Sequence, residues 1–350
     1  MTRFFDAHCD TIQKVVEKGI DLAAVNAVSH VTLPGMVEAG ICAQVFAAWA
    51  LASRLGGRED EVAMEMVHAV GTMCAQHPDR LALGLTSAEI DKACSCIGTI
   101  AAIPSLEGAD PLKGEPSALA SFYGAGVRLV TLAWEDNAFS GTALGSGAGL
   151  TAKGRDLVQS CEDLGVVVDV SHASDEAFWD VWAVSSKPFV ASHSDCRSLC
   201  PHPRNLTDDM IRALAERGGV LGINLYPAFL SPEFAAREIR ANEEAFRRVG
   251  AGETTFEEAG RAVTAVVASL PRPPLSVIVD HVLHAVNVGG EDCVGLGGDL
   301  DGVDSLPAGI DGVADYPRIG ELLHASGLVP AQIDKICYQN FARVFREVMV

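Results

Sequence analysis

His8 and Asp10 stand two residues apart in the stretch FDAHCDT, and Glu107, His172, His193 and Asp299 each close a short apolar run elsewhere in the chain. Imidazole nitrogen and carboxylate oxygen together suit Zn2+, and Mn2+, Co2+ or Fe2+ accept the same donors. Singly, each residue has a structural explanation. A histidine held by a neighbouring carboxylate orders a strand end, a glutamate can serve a helix N-terminus, and Asp299 and Asp301 in GGDLDG suit a turn. Jointly, three histidines and three carboxylates at one end of several strands are a costly burial of polar groups unless a cation satisfies them. One open catalytic zinc site uses three protein ligands, so six such groups fit two metals sharing a bridging carboxylate better. Water between two such ions titrates near about 7 instead of about 15.7, and the expected chemistry is hydrolysis of an amide, ester or phosphoester by a hydroxide bridging two metals.

These residues need elements that bring them together. Eight apolar runs recur, at 4–10, 41–50, 99–108, 126–134, 165–172, 188–194, 218–226 and 293–301, with helix-like stretches between them. In EDEVAMEMVHAVGTMCAQH the residues Val62, Met66, Val70 and Met73 recur on one helical face. In TDDMIRALAERGG, Thr207 is placed to cap a helix, Asp208 and Asp209 suit its positive end, and Gly218 marks its stop. Strand and helix alternating eight times imply parallel strands with helical crossovers, and unbroken apolar runs imply strands covered on both faces. The expected fold is therefore α/β, a (β/α)8 TIM-type barrel, with a doubly wound open sheet as the alternative. The region from Pro232 to Ser276 reads as an extra helical insertion between the seventh and eighth strands, within one domain spanning 1–350. Catalytic groups in such a barrel gather at the C-terminal strand ends, where the six polar residues fall. Since side chains alternate along a strand, His8 and Asp10 share a face and Cys9 points the other way.

Composition narrows the partners. The chain has 350 residues, 49% hydrophobic and 21% charged, the profile of a packed globular protein. Its formal charge of −20, with 46 acidic against 26 basic residues and no basic cluster, argues against nucleic acid. No apolar stretch approaches the roughly 20 residues of a membrane span, and the start lacks a basic-then-apolar leader, so no membrane partner and a cytoplasmic location are expected. The ten cysteines read as reduced and mostly buried. Cys94-x-Cys96 and Cys196-xxx-Cys200 lack the paired spacing of a structural zinc site.

In order, FDAHCDT, SHVTLPGMVEAGICAQVF, SLEGAD, VVVDVSHASDEAFWDV, ASHSDCRSLCPHPRNLTDDMI and VGLGGDLDGV make the chain resemble the renal (membrane) dipeptidase family of binuclear zinc peptidases, from FFDAHCDT to NFARVF. The resemblance implies that His8 and Asp10 hold one metal, His172 and His193 the other, and that Glu107 bridges them. It implies that Asp299 handles protons and that Arg204, in HPRNLTDD, receives the substrate's α-carboxylate, a task suited to a bidentate guanidinium. Tyr226 and Asn224, after the seventh run, are substrate-lining candidates, with packing as the equal alternative. One departure stands out. Better-known relatives carry a histidine after the fourth run to steady the oxyanion, and Trp134 occupies that place here. The Trp134 indole or Asn137 is then the replacement donor, or the metals and backbone suffice; losing one such donor costs roughly 100- to 1,000-fold in rate.

The implied activity is that of a metal-dependent dipeptidase, with L-Xaa-D-Xaa dipeptides included because the family tolerates a D-residue at the second position. A homodimer is a further state the resemblance allows. The Trp134 departure motivates a second reading, an amidohydrolase acting on N-acyl amino acids or other small amides. A third, a non-catalytic metal-binding barrel, is opposed by the retention of all six ligand-type residues.

Overall fold

The computed structural model describes residues 2–24 and 28–349, so the ends of the expected 1–350 domain, Met1 and Val350, lie outside the described residues. Its strands are β1 (Phe4–Cys9), β2 (Ile41–Trp49), β3 (Leu81–Leu83), β4 (Ile100–Glu107), β5 (Leu129–Thr131), β6 (Val167–Asp169), β7 (Val190–Ser194), β8 (Val220–Ile223) and β9 (Val294–Leu296). All pair in parallel, in the order β2-β1-β9-β8-β7-β6-β5-β4, and β2 pairs back onto β4 from Ala43↔Ala101 to Trp49↔Glu107. That last pairing closes a barrel of eight strands and excludes the open sheet, which would leave two free edges. The run pattern does not anticipate β3. It pairs with Ile100–Ala102 at the start of β4, and β5 takes up the pairing from Ser105 onward.

The helices form where the pattern places them. In the helix Glu59–Gln76 the residues Met66, Val70 and Met73 are buried and Val62 is half-buried. Thr207 caps Asp208–Glu216 by accepting the Met210 N–H, and Gly218 follows its end with a left-handed φ of 72°. Between β8 and β9 the chain makes the helices Pro232–Gly250 and Phe256–Ser269, packed on each other, before the crossover helix Ser276–Gly289. Ser231 caps the first of the pair, and Thr255 with Glu258 forms a capping box on the second.

Two apolar layers hold the strands. One lies between strands and outer helices and contains Phe4, Phe46, Leu106, Val130 and Phe178. The other gathers Phe5, Val45, Ile103 and the first residues of β5 to β8, namely Leu129, Val167, Val190 and Val220. Phe341 and Phe345 of the terminal helix Asn340–Val348 belong to this second layer, with ring centroids 5.7 and 5.2 Å from Phe5. The terminal helix therefore fills the end of the barrel where the strands start, and polar side chains collect at the other end.

Candidate metal centre and substrate cavity

Simple alternation does not explain how β1 aims its histidine. Phe5 and Ala7 lie in the inner apolar layer, yet Cys9, of the same parity, lies in the outer one. The register shifts between Asp6 and Cys9, and that irregularity is where the alternation breaks. Cys9 faces the strand–helix layer as expected. A second shift, between Ala191 and Ser194 in β7, flanks His193 in the same way. Both histidines thus come from locally bulged strands, a device that re-aims side chains near sites.

The six residues converge. His8 Nε2 lies 3.5 Å from Asp10 Oδ2, 3.5 Å from Glu107 Oε2 and 4.0 Å from Asp299 Oδ1. Glu107 Oε1 lies 3.0 Å from His172 Nε2 and 3.6 Å from His193 Nε2. One glutamate oxygen therefore faces the His8 side and the other faces the two remaining histidines. His172 Nε2 and His193 Nε2 approach to 3.1 Å, and the His8 and His193 rings stack with centroids 3.7 Å apart.

This set fits divalent cations. Both ring nitrogens of His8 are buried with no hydrogen-bond partner, an expensive state for a neutral ring with nothing to bind. A methyl group at Gly302 would collide with Asp10 Oδ2 and Asp299 Oδ1, so glycine keeps the space between these carboxylates open. Candidate ligand atoms fall into two overlapping groups, His8–Glu107–His193 and His8–Asp10–Asp299, each within 4.8 Å.

Charge is confined here against strong desolvation. Burial raises Asp10 to about 7, with Glu107 adding to the effect, and raises Asp299 to about 6. Burial disfavours the imidazolium of His8, but Glu107 and Asp10 outweigh it and hold that group well above its usual value. Burial, joined by nearby Arg204 and His8, holds His172 and His193 well below theirs. Neutral imidazole is the form that binds a metal.

A polar shell beneath the cluster orients it. Asp169 on β6 is fully buried and accepts from Thr131 Oγ1 at 2.6 Å, Ser171 Oγ at 2.6 Å and Ser192 Oγ at 2.7 Å. Ser192 Oγ also lies 2.8 Å from His193 Nδ1. Ser192 gives its proton to Asp169 and accepts from His193 Nδ1–H, which leaves Nε2 free for a metal. Asp299 has a left-handed φ of 55°, and Asn224 Nδ2 donates to its Oδ2 at 2.9 Å. Asp301, at φ 71°, accepts from Thr11 Oγ1, Lys14 Nζ, Ser29 Oγ and the His30 N–H, and so ties the loop after β9 to the segment after β1. Sequence reasoning took Asn224 as a substrate-lining candidate, whereas it is absent from the cavity lining and holds Asp299; it took Asp301 as a turn residue and missed the part of this shell built on Asp169. Its only signal was a polar residue inside an apolar run, as Asp169 is in VVVDVSH.

Above the cluster opens a cavity of about 960 Å³, lined by Asp10, Glu107, His172, Asp299, Arg204, Trp134 and Tyr226 among others. Arg204 is 3% exposed, its Nη1 is 3.5 Å from Ser194 Oγ, and its guanidinium stands 5.3 Å from the Phe229 ring centroid. Burial lowers its pKa to about 10, so it stays charged and short of partners. Tyr226 lines the cavity but donates its hydroxyl to Glu238 at 2.8 Å. Asn137 is not among the lining residues. Its amide donates to Asp110 Oδ2 and Leu132 O and accepts from the N–H groups of Phe139 and Ser140, which organises the loop after β5. Trp134 lines the wall at 36% exposure, its ring 5.8 Å from that of His172.

A sequence profile described as membrane dipeptidase (peptidase family M19) matches residues 1–350. An uncharacterised protein from the pqqA 5′ region of Klebsiella pneumoniae is 35% identical over 284 residues, covering 79% of this chain and 92% of that one. An uncharacterised dipeptidase of Schizosaccharomyces pombe is 32% identical over 252 residues, 71% of this chain; that alignment spans 53% of the yeast protein, about half its length. A metallopeptidase of Rhodobacter sphaeroides, solved with a phosphinate mimic of the dipeptide L-Ala-D-Ala, shares the fold with a TM-score of 0.82 at 23% identity, over 99% of both chains.

Proposed function

The chain belongs to the membrane dipeptidase family, and from that premise we propose that it is a metal-dependent dipeptidase acting, as one 1–350 unit, on dipeptides that include L-Xaa-D-Xaa. The observation that carries this reading is the cluster itself, in which Glu107 turns one oxygen toward His8 and the other toward His172 and His193. We assign His8 and Asp10 to one metal, His172 and His193 to the other, and Glu107 to both. Zn2+ suits the donors best. When bound, such ions supply Lewis-acid activation of water and carbonyl at neutral pH.

The protein's own residues do the rest. Arg204, charged and buried with one long hydrogen bond and the Phe229 ring beside its guanidinium, binds the C-terminal carboxylate, which orients the scissile bond. Asp299, raised to about 6 mainly by burial and held by Asn224, is placed to take a proton and pass it to the leaving amine. Trp134 and Tyr226 wall the cavity and exclude water. With Asn137 engaged in its loop, the Trp134 indole is the side-chain donor left at the family's histidine position. The free state of all ten cysteines is in keeping with a reducing, cytoplasmic location; no helix among the described residues is long and apolar enough to cross a membrane.

The test is steady-state hydrolysis by metal-loaded protein of a panel of L,L and L,D dipeptides beside N-acyl amino acids. Dipeptide turnover that a chelator abolishes supports the reading. Cleavage of N-acyl amino acids alone would favour the amidohydrolase alternative, and no turnover of either class would sink both.

A further inference from the structure

The cavity carries one charge for which the reaction above has no use. Among the described residues, Arg54 and Arg204 are the only lysine or arginine side chains that line it. Arg54 follows β2 and Arg204 follows β7, four places apart in a ring of eight, so the two cations stand on opposite sides of the mouth. The lining carboxylates outside the metal cluster already have donors. Glu135 accepts from Ser53 N and Oγ, Asp136 from Thr142 and Ser146, Asp301 from the groups named above, and Asp304 from Thr264 Oγ1. Among the described residues the Arg54 guanidinium has no carboxylate in ion-pair range and donates no hydrogen bond. It stands over the face of Trp49, 4.6 Å from the ring centroid.

An exposed arginine usually wanders in solvent. Here the ring beneath it fixes where the charge sits. Trp49 packs edge-on against Trp134 at 5.2 Å, and Trp134 lies 5.8 Å from the His172 ring. Three aromatic rings thus form a continuous shelf from a metal-cluster histidine up to a guanidinium at the rim. The Trp49 indole N–H is also without an acceptor.

We propose that Arg54 selects the side chain of the substrate's first residue, and that the preferred dipeptides begin with an acidic residue, glutamate ahead of aspartate. This rests on the dipeptidase reading. With the C-terminal carboxylate on Arg204, the N-terminal half of the substrate extends toward the opposite wall, along the tryptophan shelf. A side-chain carboxylate arriving there meets an unpaired, ring-supported guanidinium suited to bidentate pairing. The shelf is two indoles long, which favours the longer glutamate. A lysine at the same position meets like charge and is disfavoured.

The experiment compares kcat/KM for L-Glu-D-Ala, L-Gln-D-Ala, L-Lys-D-Ala and L-Ala-D-Ala in metal-loaded wild type, Arg54→Met and Arg54→Glu. Expected is a Glu-over-Gln ratio of about 10 or more in wild type, a ratio near one in Arg54→Met, and a Lys-over-Glu preference in Arg54→Glu. A wild-type ratio near one, or one that survives Arg54→Met, overturns the proposal while leaving dipeptidase activity standing. If wild type hydrolyses no dipeptide, the dipeptidase reading fails and the proposal falls with it. The charge-reversed variant guards against nonspecific damage, because misfolding lowers every rate and inverts no preference.

Discussion

Cys9 and Asp10 are adjacent in sequence and face different layers, so they separate packing from ligation. Asp10→Asn replaces an anionic carboxylate ligand with a weaker neutral amide, and at least one metal per chain should be lost. Cys9→Ser changes a side chain in the outer layer and should leave metal content near two per chain. Elemental analysis of both variants decides, and the reverse pattern would mean β1 faces the other way. His281 offers a pH-dependent test. Its Nδ1 accepts the Cys196 N–H and its Nε2 donates to Leu230 O, each at 3.1 Å, so only the neutral ring satisfies both partners. Burial is the main reason its pKa falls to about 4 from the usual 6.5. The unfolded chain therefore binds the proton more readily, and no stability is lost above about pH 6.5. As pH falls from there toward 4 the folded state weakens, by up to about 3 kcal/mol. Chemical denaturation across that window should show a shallower decline for His281→Gln than for wild type, and parallel curves would refute the assignment.

At the scale of elements, the loop after β9 is the least conventional backbone in the site. Two non-glycine residues, Asp299 and Asp301, adopt left-handed φ, which persists only where surroundings enforce it. Asp301 provides that enforcement through four donors from the segment after β1. Asp301→Asn keeps the volume but loses the ion pair with Lys14 and should lower stability by about 2–3 kcal/mol. It should also reduce turnover by releasing Asp299, and urea denaturation beside steady-state kinetics reads both. The strand ends were legible in the sequence because a polar residue closing an apolar run is anomalous there, as in GVVVDVSH and PFVASHS. Other features were not. β3 is Leu-Ala-Leu, too short to carry a period. The bulges in β1 and β7 leave no compositional mark, so alternation gave the right aim for His8 by an incomplete argument. Arg54 looked like any surface arginine because its meaning depends on Trp49 and on a cavity wall assembled from distant loops. Asn137 was picked by position after the fourth run, and only the folded loop shows its amide engaged elsewhere.

For the molecule as a whole, bound metal and folded barrel should be linked, because the proposed ligands, from β1, β4, β6 and β7 and their following loops, meet only in the closed ring. Metal binding at about 1,000 times the dissociation constant adds about 4 kcal/mol. Removing the ions with dipicolinate should then lower the melting temperature by about 5 °C, and readdition of Zn2+ should restore it. An unchanged melting curve would mean the cluster is held by protein contacts alone. The same closure orders events during synthesis. β1 lies between β2 and β9, the Thr11–Asp301 bond joins residues 290 apart, and the aromatic rings that fill the barrel's floor belong to the last helix. A nascent chain must therefore hold its first strand, with His8 and Asp10, unpaired on one side until β9 emerges. The ring stays without its floor until the helix Asn340–Val348 has been made. High contact order of this kind makes folding slow, and the metal-binding pocket is among the last features the chain acquires.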